Sequence, residues 1–203
     1  MRRKPKQQRS EKMLQLILEG ALDAVARYGM EGTTTRHIAE RAGISVGTLY
    51  HYFDDKADVY TALQDRMSSQ LVTTIRALIP NLVQKDIGTA VADVLHLFLA
   101  ELDRDGGKQL AFIRNILHRS FDRDVGRIEQ VMMELTLMYA AHHPEFATIK
   151  NLPRVMYILF NAVTFNIIRH LDSPSPHVNS EQLIEGVSQM CVAYINSQMP
   201  AES

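Results

Sequence analysis

The stretch Ile38-Ala39-Glu40-Arg41-Ala42-Gly43-Ile44-Ser45-Val46-Gly47-Thr48-Leu49-Tyr50-His51-Tyr52-Phe53-Asp54-Asp55-Lys56 decides the fold of this 203-residue chain. It reads as two short helices about a tight turn. Thr35 is placed to cap the first, whose Ile38, Ala39 and Ala42 share one side. Gly43 offers a residue free to take positive φ, Ile44 packs back, and Ser45 is a natural N-cap for the second helix. Two helices joined by a few residues containing Gly form a helix-turn-helix. In such a unit the second helix enters the major groove of DNA with its N-terminal residues at the base edges.

The second helix suits that task. Leu49 and Phe53, four apart, anchor its inner side, which leaves Val46, Gly47, Thr48, Tyr50 and His51 facing outward. A glycine inside a helix costs about 1 kcal/mol against alanine. At Gly47 a spot without a side chain would let backbone approach a base pair or sugar closely. The competing reading is that Tyr50, His51 and Tyr52 only pack on neighbouring helices. Three rings with a Thr and a Lys on so short a segment favour DNA. Arg36, Thr48, Tyr50 and His51 are the expected base and nearby phosphate contacts. Thr35, Tyr52 and Lys56 are expected to position the backbone, and Ser45, Val46 and Gly47 complete the surface.

The segment resembles the DNA-binding signature of the TetR family of bacterial transcriptional regulators. The matching residues are Thr34-Thr35-Arg36, Ile38-Ala39, Ala42-Gly43-Ile44-Ser45, Gly47-Thr48-Leu49-Tyr50, Tyr52-Phe53 and Lys56. Upstream, Ile17, Ala21, Tyr28-Gly29 and Gly32-Thr33-Thr34-Thr35 also fit, and Val25 stands where many members carry an aromatic. The resemblance covers roughly residues 10–60. It implies an all-α protein: an N-terminal three-helix DNA-binding domain, then a larger helical domain for ligand binding and dimerisation. The division is expected at residues 1–56 and 57–203, with the helix-turn-helix over about 35–53.

Net charge is −1 over the whole chain but divides unevenly. Residues 1–56 hold ten basic and seven acidic residues, or +3; the remainder holds twelve and sixteen, or −4. A basic head on an acidic body orients the molecule on a polyanion. Residues 1–9 form a basic arm led by Arg2-Arg3-Lys4-Pro5-Lys6, suited to phosphate or the minor groove, or else a solvated tail. The one cysteine, Cys191, lies in an apolar helical pattern and reads as a buried structural thiol rather than a redox sensor. No secretory signal is visible, and residues 155–171 are too short and too polar for a membrane span. A cytoplasmic location is expected, with the nucleoid as its address when bound to DNA.

Beyond the head the chain reads as helices without alternating strand patterns. Leu14, Ile17, Leu18, Ala21 and Val25 mark a first helix capped at Ser10 and ending near Gly29. A helix capped by Asp54 or Asp55 is predicted to stop at Leu78, ahead of Pro80. Further helices are predicted over about 86–104, to about 118, and over about 122–143. Residues 155–171 are apolar nearly all round. After the break at residues 173–176, Asn179 and Gln182 have capping-box spacing, and Leu183, Val187, Met190 and Tyr194 form a seam. That excess of apolar surface predicts a homodimer through about 155–171 and 181–197, as the TetR resemblance also implies. Burial within one monomer is the alternative.

The sequence has no Gly-rich phosphate loop, no Cys-pair metal spacing and no HExxH pattern, so neither a catalytic residue, a metal nor a cofactor is expected. His142 and His143 point to different sides of a helix and favour its negative C-terminus. His96 and His118 stand alone. In the family it resembles, the middle helices enclose an effector pocket. Phe98, Phe112, Ile116, Met132, Met133, Tyr139, Asn161 and Phe165 are the candidate lining here, against a filled core. The expected partners are a double-stranded DNA operator, a second copy of the chain and a small apolar or amphipathic effector, with no membrane. The expected function is a homodimeric repressor released from a palindromic operator by that effector. Alternatives are a ligand-independent DNA-binding protein of the same fold, acting in chromosome organisation or through protein partners, and, more distantly, a helical enzyme.

Overall fold

The computed structural model describes residues 5–116 and 122–199, and every regular element among them is helical. In chain order these are α1 (Pro5–Gly32), α2 (Thr35–Ala42), α3 (Val46–Tyr50), α4 (Lys56–Leu82), α5 (Ile87–Asp103), α6 (Lys108–Ile116) and α7 (Asp122–His142). A 3-10 turn at Phe146–Thr148 leads to α8 (Leu152–Asp172) and α9 (Ser180–Gln198). Residues 1–4 of the expected basic arm and His118 lie outside the described residues.

The chain divides into two compact units, and the division is not a single cut. The first, the head, runs through Met67 and takes in the segment from Leu102 through α6. The second, the body, holds Ser68–Glu101 and the helices from α7 onward. The expected boundary at 56/57 marks the start of α4, which continues past it and contributes residues to both units.

The head is built on one close crossing. Ile17, Leu18, Ala21, Leu22 and Val25 of α1 bury against Ile38 and Ala39 of α2, Leu49 of α3, and Val59, Tyr60 and Leu63 of α4. A Cβ on Gly20 would stand 2.7 Å from the backbone nitrogen of Ala42, closer than atoms can sit. The glycine therefore sets the distance between α1 and α2. Phe112 of α6 is fully buried in the same core, its ring edge-on to Tyr60 at 5.7 Å. Lys108 of α6 meets Asp23 of α1 at 2.5 Å, and Arg41 of α2 reaches that carboxylate at 3.3 Å.

Several termini follow the sequence closely and others do not. Helical geometry in α1 breaks at Gly29 (φ 69°, ψ 167°), as expected. Ser10 is no cap, because α1 is already helical from Pro5. α4 passes through Pro80 to Leu82. A proline there removes one hydrogen bond in the last turn. Burial of Ile79, Leu82 and Val83, with the Val83 N–H on the Ile79 carbonyl at 3.1 Å, holds that turn. The capping box at Asn179 and Gln182 is present in both directions, at 2.9 and 3.0 Å.

In the body, Leu71, Ile75 and Val131 form one cluster with Val72, Leu97, Phe98, Ile128 and Met132 around it. The inward stripe of α9 is Ile184, Val187, Ser188, Cys191 and Ile195. Only Val187 of the expected seam belongs to it; Met190 is 39% exposed, and Leu183 and Tyr194 are half-buried. Apolar residues occur on both sides of this helix, so its phase was ambiguous from sequence.

Candidate functional sites

Local hydrogen bonds shape the helix-turn-helix. Thr34, not Thr35, caps α2, its side chain accepting the His37 N–H at 3.2 Å. Thr35 is already helical, and its hydroxyl lies 3.3 Å from the phenol of Tyr50, tying the start of α2 to α3. Gly43 closes α2 in the left-handed region (φ 67°, ψ 31°), and the Ile44 N–H bonds back to Ala39 at 3.0 Å. Ser45 then caps α3, accepting the Thr48 N–H at 3.0 Å and pairing with the Thr48 hydroxyl at 2.8 Å. Leu49, fully buried, fixes the rotation of α3. Burial of one such side chain stabilises by about 1.5–3 kcal/mol.

With Leu49 inside, Ser45, Gly47, Tyr50 and His51 are exposed and Thr48 is half-buried beside them. Arg36 is exposed near the start of α2. Val46 and Tyr52 do not face freely outward: both are half-buried and pack against the head core. A Cβ on Gly47 would meet only the Ser45 hydroxyl, at 3.8 Å. Among the described residues nothing requires glycine there, so the space beside it is open.

Lys56 has a different setting from the one its sequence position suggested. Its ammonium donates to the carbonyls of Thr33 at 3.0 Å and of Met30 and Glu31 at 3.4 Å. The Tyr60 phenol donates to the Met30 carbonyl at 3.2 Å. Together they satisfy carbonyls that α1 exposes where it stops. Gly20 and Thr34 were missed in the sequence. A glycine in mid-helix was the available signal for the first. Three consecutive threonines concealed which one caps.

The body contains a cavity of about 130 Å³. Ile87, Ala90, Val91, Val94 and Leu95 line it from α5, and Met132, Leu135, Thr136, Tyr139 and Ala140 from α7. Val155, Met156, Leu159, Phe160 and Val163 of α8 and Cys191 and Ile195 of α9 close it, with Phe146, Ile149 and Leu152 at one end. Burial pushes the Tyr139 phenol up to about 12 and the Cys191 thiol up to about 11.

Of the residues expected around an effector, Met132 and Tyr139 line this cavity. Phe98 packs on the Leu71–Ile75–Val131 cluster instead, and Phe112 belongs to the head core. Met133, one residue out of phase with Met132, is half-buried and not part of the lining. Asn161 is exposed, its amide donating to the Tyr157 carbonyl at 2.8 Å, and Phe165 is 68% exposed. Both lie on the face of α8 opposite Val155, Leu159 and Val163. The side chain of Ile116 is outside the described residues. Ring type attracted the sequence reading to Phe98, Phe112 and Phe165, whereas helix phase placed mostly aliphatic residues at the cavity.

The family model described as "Bacterial regulatory proteins, tetR family" matches residues 17–63, the span of the head from Ile17 to Leu63. Over that span the chain is similar to the TetR family of bacterial regulatory proteins. Its matched segment is 38% identical over 61 residues to the HTH-type transcriptional repressor AcnR of Corynebacterium efficiens, covering 30% of this chain and 32% of that protein. It is 40% identical over 55 residues to the HTH-type transcriptional regulator BetI of Klebsiella pneumoniae, covering 27% and 28%. The likeness therefore spans about a third or less of these curated relatives. Similarity of fold extends much further. The fatty acid degradation regulator FadR from Bacillus halodurans superposes with a TM-score of 0.72 at 18% identity, over 94% of this chain and 96% of that one. A TetR family transcription regulator from Marinobacter aquaeolei gives 0.62 at 22% identity, over 93% and 97%. Among the described residues, no helix of this chain is long and apolar enough to cross a membrane.

Proposed function

We propose that this chain is a homodimeric transcriptional regulator, acting in the cytoplasm as a repressor on a palindromic operator and released by a small apolar or amphipathic ligand. The observation that carries the DNA-binding part is the capped α2–turn–α3 unit. Leu49 locks the recognition helix while Ser45, Gly47, Thr48, Tyr50 and His51 remain outward, with Arg36 exposed on α2. The repressor and regulator relatives of the head support this reading over an enzymatic one. Lys56 and Tyr52 act on DNA through the shape they give the head.

Dimerisation is supported by the apolar surface left on the last two helices. Tyr157 is 61% and Phe165 68% exposed on α8, with Ile158 on the same side and Met190 exposed on α9. Gly186, one turn before Met190, has open space where a Cβ would be. A symmetric four-helix contact would cover these residues. Cys191, directed into the cavity, is not part of that contact. An obligate interface of this kind buries on the order of 2,000 Å² or more in total.

The cavity supports ligand control over the ligand-independent reading. The body's Ser68–Leu82 segment is the continuation of the helix that begins at Lys56 in the head, so a change in the body reaches the head along one element. A 100-fold release from DNA needs about 2.7 kcal/mol of coupling, and operator must weaken ligand binding by the same factor. The test is operator binding by fluorescence anisotropy with sedimentation of the same sample. A dimer that binds a selected palindrome and loses it on Tyr50→Ala supports the proposal. A monomer at micromolar concentration, or unchanged binding by Tyr50→Ala, contradicts it.

A further inference from the structure

The polar groups around the body cavity already have partners within the protein. The Thr136 hydroxyl donates to the Met132 carbonyl at 2.8 Å and lies 3.0 Å from the Met156 sulfur. The Tyr139 phenol donates to the Lys85 carbonyl at 2.8 Å, which leaves its ring, not its hydroxyl, for an occupant. Cys191 contributes a weakly polar thiol whose ionisation burial opposes. No charged side chain is among the lining residues. Several charges near the lining in sequence are engaged elsewhere: Lys85 with Asp93, Asp86 with the N–H and hydroxyl of Thr89, Glu134 with Arg76, and Arg154 with the Gln198 side chain.

Resting on the reading of this cavity as the effector site, we infer that it accepts a neutral hydrocarbon group about the size of a benzene ring and rejects a buried carboxylate or ammonium. Volume sets the size: an apolar cavity of about 150 Å³ stays dry and takes benzene, and this one has about 130 Å³. Chemistry sets the selectivity. A buried ion needs a counter-charge or several donors, and the lining supplies neither. Met132 and Met156 make the walls adaptable, so shape is selected loosely while charge is selected strictly. An amphipathic effector then binds by its apolar end, with its head group outside the cavity.

The experiment compares toluene with benzoate, matched in size and differing in charge, on the full chain at pH 7.5 by calorimetric titration. Toluene binds saturably, and benzoate binds at least about 100-fold more weakly. Ala140→Phe, which fills the lining, abolishes toluene binding while circular dichroism shows an intact helical fold. Should Ala140→Phe fail to fold, Val163→Phe is the second filling variant. Benzoate binding within tenfold of toluene, lost in the filled variant, overturns the charge selectivity while leaving the cavity as the effector site. Absence of binding by either compound, or toluene binding unchanged by filling, overturns that underlying reading itself.

Discussion

The head and the body of this chain are both helical, yet they encode their structures at different ranges. In the head, the decisive contacts are short-range: Ser45 on Thr48, Thr34 on His37, Ile44 back to Ala39. In the body, the decisive fact is which side of each long helix turns inward, and that is set by partners dozens of residues away. Tyr139 bonds Lys85, and His143 stacks on Tyr139 at 4.1 Å while bonding the Val83 carbonyl. The helix-turn-helix of the head is therefore specified locally. The body is specified by packing and can leave space within it.

The comparison breaks most visibly where the head itself depends on a distant segment. Phe112 lies 45 residues beyond Met67 in sequence yet fills the head core. Phe112→Ala should cost about 3–5 kcal/mol. Calorimetry should show the loss, and proteolysis should place it in the head. Gly20→Val should be of similar size, since its side chain would stand against the Ala42 backbone. A head that melts normally in both variants would mean its core is closed by local contacts alone.

Lys56 sharpens the same contrast at a smaller scale. An ammonium on three carbonyls predicts that Lys56→Ala lowers stability by about 1.5–3 kcal/mol. Operator affinity should fall with it, while the slope of log affinity against log salt stays unchanged. A phosphate contact would instead reduce that slope by about one and leave stability alone. Tyr50, 52% exposed, should behave in the opposite way. Tyr50→Ala should weaken operator binding about tenfold, with melting shifted by less than about 0.5 kcal/mol equivalent.

The smallest effect concerns Asp23, whose carboxyl is held below its ordinary value by the Lys108 hydrogen bond, with Arg41 adding to it. A depressed native value gives stability that is present above the unfolded carboxylate range near pH 4. It is lost as pH falls through the lower native value. Partly exposed pairs contribute at most about 1 kcal/mol. Asp23→Asn should therefore remove a small part of the acid dependence below about pH 4 and change little at pH 7. A large destabilisation at neutral pH would show that α6 is held to the head by this carboxylate more than by Phe112.

Legibility in the sequence followed the same division. Caps, the Gly43 turn and the Leu49 anchor could be read because each depends on residues within four positions. The cap on α2 slipped by one residue because Thr33, Thr34 and Thr35 are chemically alike. The bonds of Lys56 within the head were not legible, because its carbonyl partners lie at the end of a helix more than twenty residues earlier. In the body, helix positions were legible and helix phases were not. Asn161 and Phe165 were assigned inward on a helix apolar on nearly all sides, and on α9 the sequence did not separate the exposed Met190 from the buried Cys191 and Ile195. The role of Phe112 could not be read from periodicity, which identifies an inward face but not the unit it faces.

Selection of bound duplexes from a random pool by the full-length protein tests the central claim most directly. The account predicts enrichment of an inverted repeat whose half-site centres lie about 10–10.5 base pairs apart, or a multiple of that spacing. The same pool passed over Tyr50→Ala should lose that enrichment. Failure to enrich any sequence, or an identical inverted repeat selected by Tyr50→Ala, would contradict the assignment of this surface to DNA.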